Sequence, residues 1–581
     1  MQASPASIEG ENVKMQVAAD HVDLPPDASE DSNVSLWREL RAIKWKKWLV
    51  IISLGFIYNM GISIYLCVSP IIGIINADIG PDPAYSWLPT CWTVATGVGL
   101  IVAGTLSDVL GRRWFVIGTG VLGVAGGICG ALAQNIPTGA MNTLAAIAEI
   151  VPTRLRGIIL GAVNAGILVW ATCGSLIGHE VAVHTAPGWR TLFWIIVAAN
   201  GLATLLVAIN YFPAKPLAAG MKTRRQLLKE FDYVGLALAT AGPTLFFVGI
   251  KYVPTYGAKS GYFLGPFLAG IALMVCLGFH QAFYASNPIM KRFLFRRVRE
   301  FTLILVVAAV GGMLFYSIVA FFSTYLRVMF HGDNTRAIGV DYMPFGAGTN
   351  VGGVSSALLL PIIAPIIGTR LHLAIGVTLQ VIFIPLMCLP AANSRAMALA
   401  FSFFAGTGIG WVELLTILLI RLATPDEWIG VATGLLGMMR SIGGSAGSAV
   451  YTTVLNSRSA DLIPEYVSSA ALEAGLPAGS LRQLLGILTG VVTGESITDV
   501  PGITPSIIQA STRALHKAWR EAFQYVWLTS IPFGVIALGC AIMTKDLTYR
   551  LSHKTAQHLR SEEVAESSGD LEKDAVHKGP H

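Results

Sequence analysis

Two constellations carry the reactive side chains of this sequence. The first is Gly104-Thr-Leu-Ser-Asp108-Val-Leu-Gly111-Arg112-Arg113, which reads G-x-L-x-D-x-x-G-R-R. Gly104 lets two helices approach closely. Asp108 can accept hydrogen bonds at the N-terminus of a neighbouring helix, where the dipole favours an anion. Gly111 permits a tight turn, and Arg112 and Arg113 can pair with acids or with lipid phosphates. Such a group suits a conformational latch, closed in one state and released in another. A short basic turn marking one side of a membrane is the plainer account. The second constellation is Glu413 and Arg440, each in the middle of an apolar run. A charge in hydrocarbon is costly unless it is paired or hydrated, so both are candidates for proton or substrate binding. Glu413 can take up a proton, and Arg440 can hold it ionised or meet an oxygen-rich substrate. A static pair between two helices is the alternative.

Other residues fit a pathway for an apolar ligand. Tyr58, Asn59 and Tyr65 share one apolar run, Trp92 lies in the next, and Asn164 and Trp170 lie further on. Ligand pockets are mostly aromatic and apolar with few polar groups, although helix packing explains these residues about as well. His179, Glu180 and His184, and likewise Arg327 and Asp341, fall near helix ends and read as solvated. There is no metal-ligand cluster, nucleophile elbow or phosphate loop. No metal, no cofactor and no enzymatic reaction are therefore expected. Basic residues alternate loop by loop and form no single patch, so nucleic acid has no case. The seven cysteines are scattered, with no close pair.

The elements that must hold these residues are set by composition. The chain has 581 residues, of which 54% are hydrophobic and 13% charged, and its mean hydropathy is +0.62. Soluble domains carry about 25% charged residues, so lipid is the solvent that suits this surface. Apolar runs long enough to span about 30 Å as helix cover 48–73, 86–106, 114–133, 157–179, 190–212, 233–252, 262–284, 301–325, 341–366, 371–390, 396–420, 428–454 and 522–543. A shorter piece, 138–151, would reach only about 21 Å. Positive residues favour the cytoplasmic side. With the N-terminus inside, the basic loops fall inside only if 138–151 also crosses, which gives fourteen crossings. Loop 457–519 then lies outside, where an ordered cap or a re-entrant segment is expected.

The motif from Gly104 to Arg113 resembles the signature of major facilitator superfamily transporters, and the span count resembles their fourteen-span drug:proton antiporter branch. Ser86-Trp87, Trp92, Trp114-Phe115, Ala133-Gln134-Asn135-Ile136, Gly434-Leu435-Leu436-Gly437, Arg440-Ser441-Ile442-Gly443-Gly444 and Ala449-Val450-Tyr451 resemble fungal trichothecene efflux pumps. The resemblance covers roughly residues 45–545. It implies that Glu149, Arg156 and Gly157, in E-x-x-P-x-x-x-R-G, form a second cytoplasmic loop contact. Gly188-Trp189-Arg190 resembles the entry to the sixth helix, an interfacial anchor. The antiporter motif is matched only partly, by Gly166, Gly174 and Gly178, with Ser175 where Pro is usual. Close helix packing explains these glycines too. Relative to the family, ten to twenty residues are missing near the fourth helix. Either that helix is shortened or the sequence lacks a coding segment.

The fold implied is an all-α integral membrane protein of the major facilitator type, with two six-helix bundles and two extra helices. The expected organisation is a disordered cytoplasmic tail (1–45), an N-terminal bundle (46–213), two linking helices (214–290), a C-terminal bundle (291–545) and a cytoplasmic tail (546–581). The function implied is export of a small organic compound, a toxin, drug or secondary metabolite, by proton antiport with alternating access. A siderophore or other metabolite carrier, or a chain made inactive by loss of the fourth helix, are the alternatives. The partners expected are the lipid bilayer, a small-molecule substrate and protons, for a monomer in the plasma membrane or the vacuolar membrane.

Overall fold

A computed structural model describes residues 45–80, 87–110, 112–135, 158–212, 229, 231–257, 259–285, 288, 290, 292–332, 334–390, 394–425, 428–488 and 500–550. The chain forms two compact units, 1–49 and 50–581. The second holds nearly all the described residues. Among them there is no strand.

Helix α1 (Trp45–Val68) and the short α2 (Ile72–Ile79) flank a 3-10 turn at Ser69–Ile71. Pro70 lacks a backbone donor and suits that turn. Helices α3 (Trp87–Leu110), α4 (Arg112–Ala131), α5 (Ile158–His184) and α6 (Arg190–Asn210) complete the first half. A hairpin of α7 (Tyr233–Tyr256) and α8 (Gly261–Phe279) follows. Its helices begin at capping side chains: Asp232 accepts from Gly235 N–H at 2.7 Å and Ser260 from Tyr262 N–H at 3.2 Å, each satisfying an orphan donor. The second half comprises α9 (Leu303–Leu326), α10 (Thr335–Leu386), α11 (Arg395–Ala423), α12 (Ile429–Glu473), α13 (Leu481–Leu488), α14 (Pro505–Leu528) and α15 (Ser530–Met543).

Ten described helical segments are long and apolar enough to cross a membrane. The longest, α10, holds the expected span 341–366 and most of 371–390, which meet at Gly368, whose φ of +82° breaks the helix. Along α8, Leu264, Leu268, Ile271 and Val275 form an exposed apolar stripe, the pattern of a face turned to lipid. Past the 454 boundary read from sequence, α12 continues to Glu473. There Ile463, Val467 and Ala471 pack on Leu484 of α13 and on Ile507, Ala514 and Ala518 of α14. The described residues of 457–519 thus form an ordered helical cap with its own core. The polar run that ended the apolar span is the cap's solvent side.

Helix ends sort onto two faces. Gly174 and Gly178, late in α5, meet Leu66 and Cys67, late in α1. Arg190, opening α6, donates to the Ala133 carbonyl just after α4 at 3.1 Å. The C-terminal ends of α1, α4 and α5 therefore share the face assigned to the outside by the basic-loop pattern. Residues 136–157, between α4 and α5, lie outside the described residues. On the outer side one apolar core joins both halves, through Ile64, Trp92, Phe193, Phe322, Phe345 and Phe523. On the inner side the described buried residues form separate cores. Leu54, Ile57, Val116, Ala203 and Val207 serve the first half, and Phe301, Leu373, Leu415, Leu436 and Ala537 serve the second. The described halves are thus closed together on the outer side.

Small residues make that closure possible. A Cβ at Gly346 of α10 would run into the Ala171 carbonyl oxygen of α5, and one at Gly97 of α3 would lie 2.6 Å from Ser441 Cβ of α12. Asn350 ties α10 to α5, donating to the Leu168 carbonyl at 2.9 Å and to Thr172 Oγ1 at 2.7 Å. Overpacking typically costs about 1–3 kcal/mol, and a backbone oxygen gives way less readily than a side chain. Gly346→Val should therefore lower the melting temperature of detergent-solubilised protein by several degrees. Gly353→Ala is the control: its Cβ would meet Gly410 O at 3.5 Å, and little change is expected.

Candidate functional site

Glu413 and Arg440 face each other between α11 and α12. Close helix approach puts them there. Gly312 of α9 lies against the Arg440 backbone, Gly443 meets the Ala309 carbonyl, and Gly444 meets the Tyr316 ring. These contacts draw α12 onto α9. Arg440 Nη2 forms an ion pair with Glu413 Oε1, with side chains 14% and 33% exposed. The pair is therefore only partly withdrawn from its surroundings. It lines a crevice with Ala308, Gly311, Phe315, Ile409, Val412 and Thr416. Sequence named both residues, and the structure joins them.

Phe315 connects this crevice to an aromatic group. Its ring lies 5.1 Å from that of Tyr316. Tyr316 in turn sits edge-on to Tyr65 at 5.5 Å and to Trp92 at 6.4 Å, while Tyr65 stacks on Trp92 at 4.4 Å. Three helices, α1, α3 and α9, thus contribute one cluster from both halves. Trp92 Nε1 and Thr96 Oγ1, a turn apart on α3, are buried without hydrogen-bond partners among the described residues. Beside them Thr93 and Ser445 hydroxyls pair across the halves at 3.1 Å. Asn59 is buried, and Ser63 Oγ donates to its carbonyl. Trp170 packs against the outer core.

The Gly104–Arg113 motif spans the end of α3 and the start of α4. Gly104 and Asp108 lie in α3 and Arg112 opens α4, while Gly111 lies outside the described residues. Arg113 donates to the Ala208 carbonyl at 2.8 Å and sits 3.9 Å from the Phe212 ring centroid. It joins the inner ends of α4 and α6, within one half. The second loop motif, Glu149, Arg156 and Gly157, lies outside the described residues, as does the 138–151 stub. Gly166, Tyr58 and Asn164 lie on α5, α1 and α5 respectively. A Cβ at Gly178 would run into the Cys67 carbonyl oxygen, and one at Gly174 would lie 3.3 Å from Leu66 Cβ. These two glycines pack α5 on α1.

Comparison with known proteins identifies this architecture. The model of a family described as fungal trichothecene efflux pump (TRI12) matches residues 49–575. The chain belongs to that family. The trichothecene efflux pump TRI12 of Fusarium sporotrichioides is 25% identical over 506 residues, covering 84% of this chain and 83% of that protein. The MFS-type transporter prx5 of Penicillium rubens is 25% identical over 533 residues, with 88% and 93% covered. A crystal structure of a POT peptide transporter in complex with sulfate superposes with a TM-score of 0.53 at 12% identity, covering 84% and 93%, a likeness of fold. The protein is a multi-pass membrane transporter of the major facilitator type and an efflux pump by family.

Several charges of this TRI12-family transporter sit elsewhere than sequence placed them. Asp341, read as solvated, is 2% exposed. It accepts from Arg395 Nε and Nη2 and from His331 Nε2, each at 2.6 Å. The triad ties the outer ends of α9, α10 and α11. His179 is also buried, with Nδ1–H donating to the Ser175 carbonyl at 2.8 Å, whereas His184 stays exposed beside Glu180. Trp189 is 4% exposed, and it donates to Asp78 at 3.0 Å together with Arg190 at 2.7 Å. The first residues of the expected tail from 546 are packed. Leu547 is 1% exposed, and Asp546 accepts from Thr369 N–H at 2.9 Å. Burial acts to raise the Asp546 carboxyl, but hydrogen bonds from Thr548 and Thr369 outweigh it and hold the group at about 2. Sequence reading also missed Lys251 of α7. It is 5% exposed, although it lies one residue inside the end of its apolar run, where lysines usually reach the interface.

Proposed function

We propose that the transporter exports small apolar compounds bearing acceptor oxygens, trichothecene-like toxins or related secondary metabolites, in exchange for protons across the plasma membrane. It acts as a monomer by alternating access. Glu413 is the proton carrier. Arg440 is its counter-charge, which turns to substrate oxygen when Glu413 is protonated. The observation that carries this reading is the Glu413–Arg440 pair on a crevice next to the Tyr65–Trp92–Tyr316 cluster. Trp92 Nε1 and Thr96 Oγ1 are buried donors without acceptors among the described residues. Such donors suit an apolar molecule with a few oxygens, because leaving them unpaired costs about 1–3 kcal/mol each. The Gly104–Arg113 motif is the inner latch, and Gly346 of α10 and Gly97 of α3 let the outer side close. Several relatives that match most of the chain, the trichothecene efflux pump TRI12 of Fusarium sporotrichioides among them, are named as efflux pumps or efflux transporters, which favours export over uptake.

The test is transport of labelled trichothecenes and unrelated apolar metabolites in inverted vesicles carrying an imposed pH gradient. Accumulation should require an acidic lumen and collapse with a protonophore. Movement that ignores the gradient would sink proton antiport. Export of none of the panel would sink the substrate class.

A further inference from the structure

Lys251 has a setting that the transport scheme above does not use. It lies on α7, in the hairpin between the two halves, and is 5% exposed. Among the described residues no acid lies within ion-pair distance of its Nζ. An ammonium buried in a membrane helix without an anion is costly. Yet α7 packs on α3 of the first half and also on α12 of the second. The lysine sits toward the outer end of this junction. One residue on, the Tyr252 ring meets Trp87 of α3 at 5.4 Å. The outer side is the one on which the halves are closed. Lys251 therefore lies near the outer end of a helix that meets an element of each half.

We propose that Lys251 is a proton-binding site of the outer face: an ammonium when α3 and α12 part, and a neutral amine when they close over it. Its proton comes from the outer water on opening and returns to it on closing. Acid outside then favours the outward-open state. This rests on the alternating-access reading. Among the described residues, other titratable and charged groups lie on the elements packed against it. Helix α3 brings Cys91. Helix α7 carries Tyr252 and Tyr256, and α8 brings Tyr262 onto Tyr256. Helix α12 carries Arg440, held by Glu413, and Arg458, which lies over Tyr525.

Cys91 supplies a reporter. In full-length protein with Cys91 as its sole cysteine, an impermeant maleimide is added outside right-side-out vesicles. Rates are corrected for thiolate fraction with a cysteine peptide. Corrected labelling should rise on the order of tenfold from about pH 9 to about pH 6. Lys251→Met should lose this dependence, and Lys251→Arg should hold the acid-side rate throughout. If Lys251→Met folds poorly, the arginine variant still decides. A variant that tracks the parent's pH dependence, or a parent with none, overturns the proposal alone. Cys91 that stays unlabelled at every pH, while transport proceeds, overturns alternating access at this junction and the proposal with it.

Discussion

Glu413→Gln should cut pH-driven export by on the order of tenfold to a hundredfold, while exchange of labelled for unlabelled substrate without a gradient continues. Antiport is a coupling free energy between proton and substrate, and couplings of about 1–3 kcal/mol correspond to factors of about 5–150. Gln keeps the shape of Glu413 and one acceptor oxygen for Arg440, but it binds no proton. The two accounts of the pair then separate cleanly. If the pair is a static strut, Glu413→Gln lowers melting temperature and leaves the pH profile of transport unchanged. In that case the double variant Glu413→Leu/Arg440→Met should regain stability, since apolar residues of similar size often replace an ion pair at no cost. It should regain transport as well. If Glu413 carries the proton, the double variant folds and stays uncoupled. A pH-driven rate unchanged in Glu413→Gln would end the proton role.

What sequence could reveal followed from range. The Gly104–Arg113 motif is legible because its six fixed positions lie within ten residues and sit between two apolar runs. The spans are legible because lipid demands length and apolarity, which any window displays. Glu413 and Arg440 are legible singly, as charges in apolar runs. Their pairing depends on α11, α12 and a row of glycines on neighbouring helices. Asp341 was misread for the same reason. Beside an apolar run it looks solvated, but Arg395 lies 54 positions away and reaches it across three helix ends. Over 457–519 the sequence leaves an ordered cap and a re-entrant segment as alternatives. Helix α12 runs through into the cap because Ile463 and Val467 find partners on α13 and α14, which no local pattern shows.

The Asp341 triad makes an asymmetric prediction. Breaking a buried pair by removing one partner typically costs about 3–5 kcal/mol, because the other charge is left uncompensated. Here the partners differ in access to solvent. The side chain of Asp341 is 2% exposed, whereas that of Arg395 is 53% exposed. Asp341→Asn frees Arg395 toward water, so it should cost only about 1–3 kcal/mol, the loss of charged hydrogen bonds. Arg395→Ala strands the carboxylate with His331 as its remaining donor, and it should cost about 3–5 kcal/mol. Adding Asp341→Asn to Arg395→Ala should then recover part of the loss, a coupling that a double-mutant cycle reads directly. The measurement is thermal unfolding of detergent-solubilised protein for the four combinations. Equal losses from the two single changes would mean that the triad is a surface contact. A larger loss from Arg395→Ala, relieved in the double variant, would mean that a buried carboxylate holds the outer ends of α9, α10 and α11 together. The outer ends of the second half would then be held by an acid that reads, in sequence, as solvated.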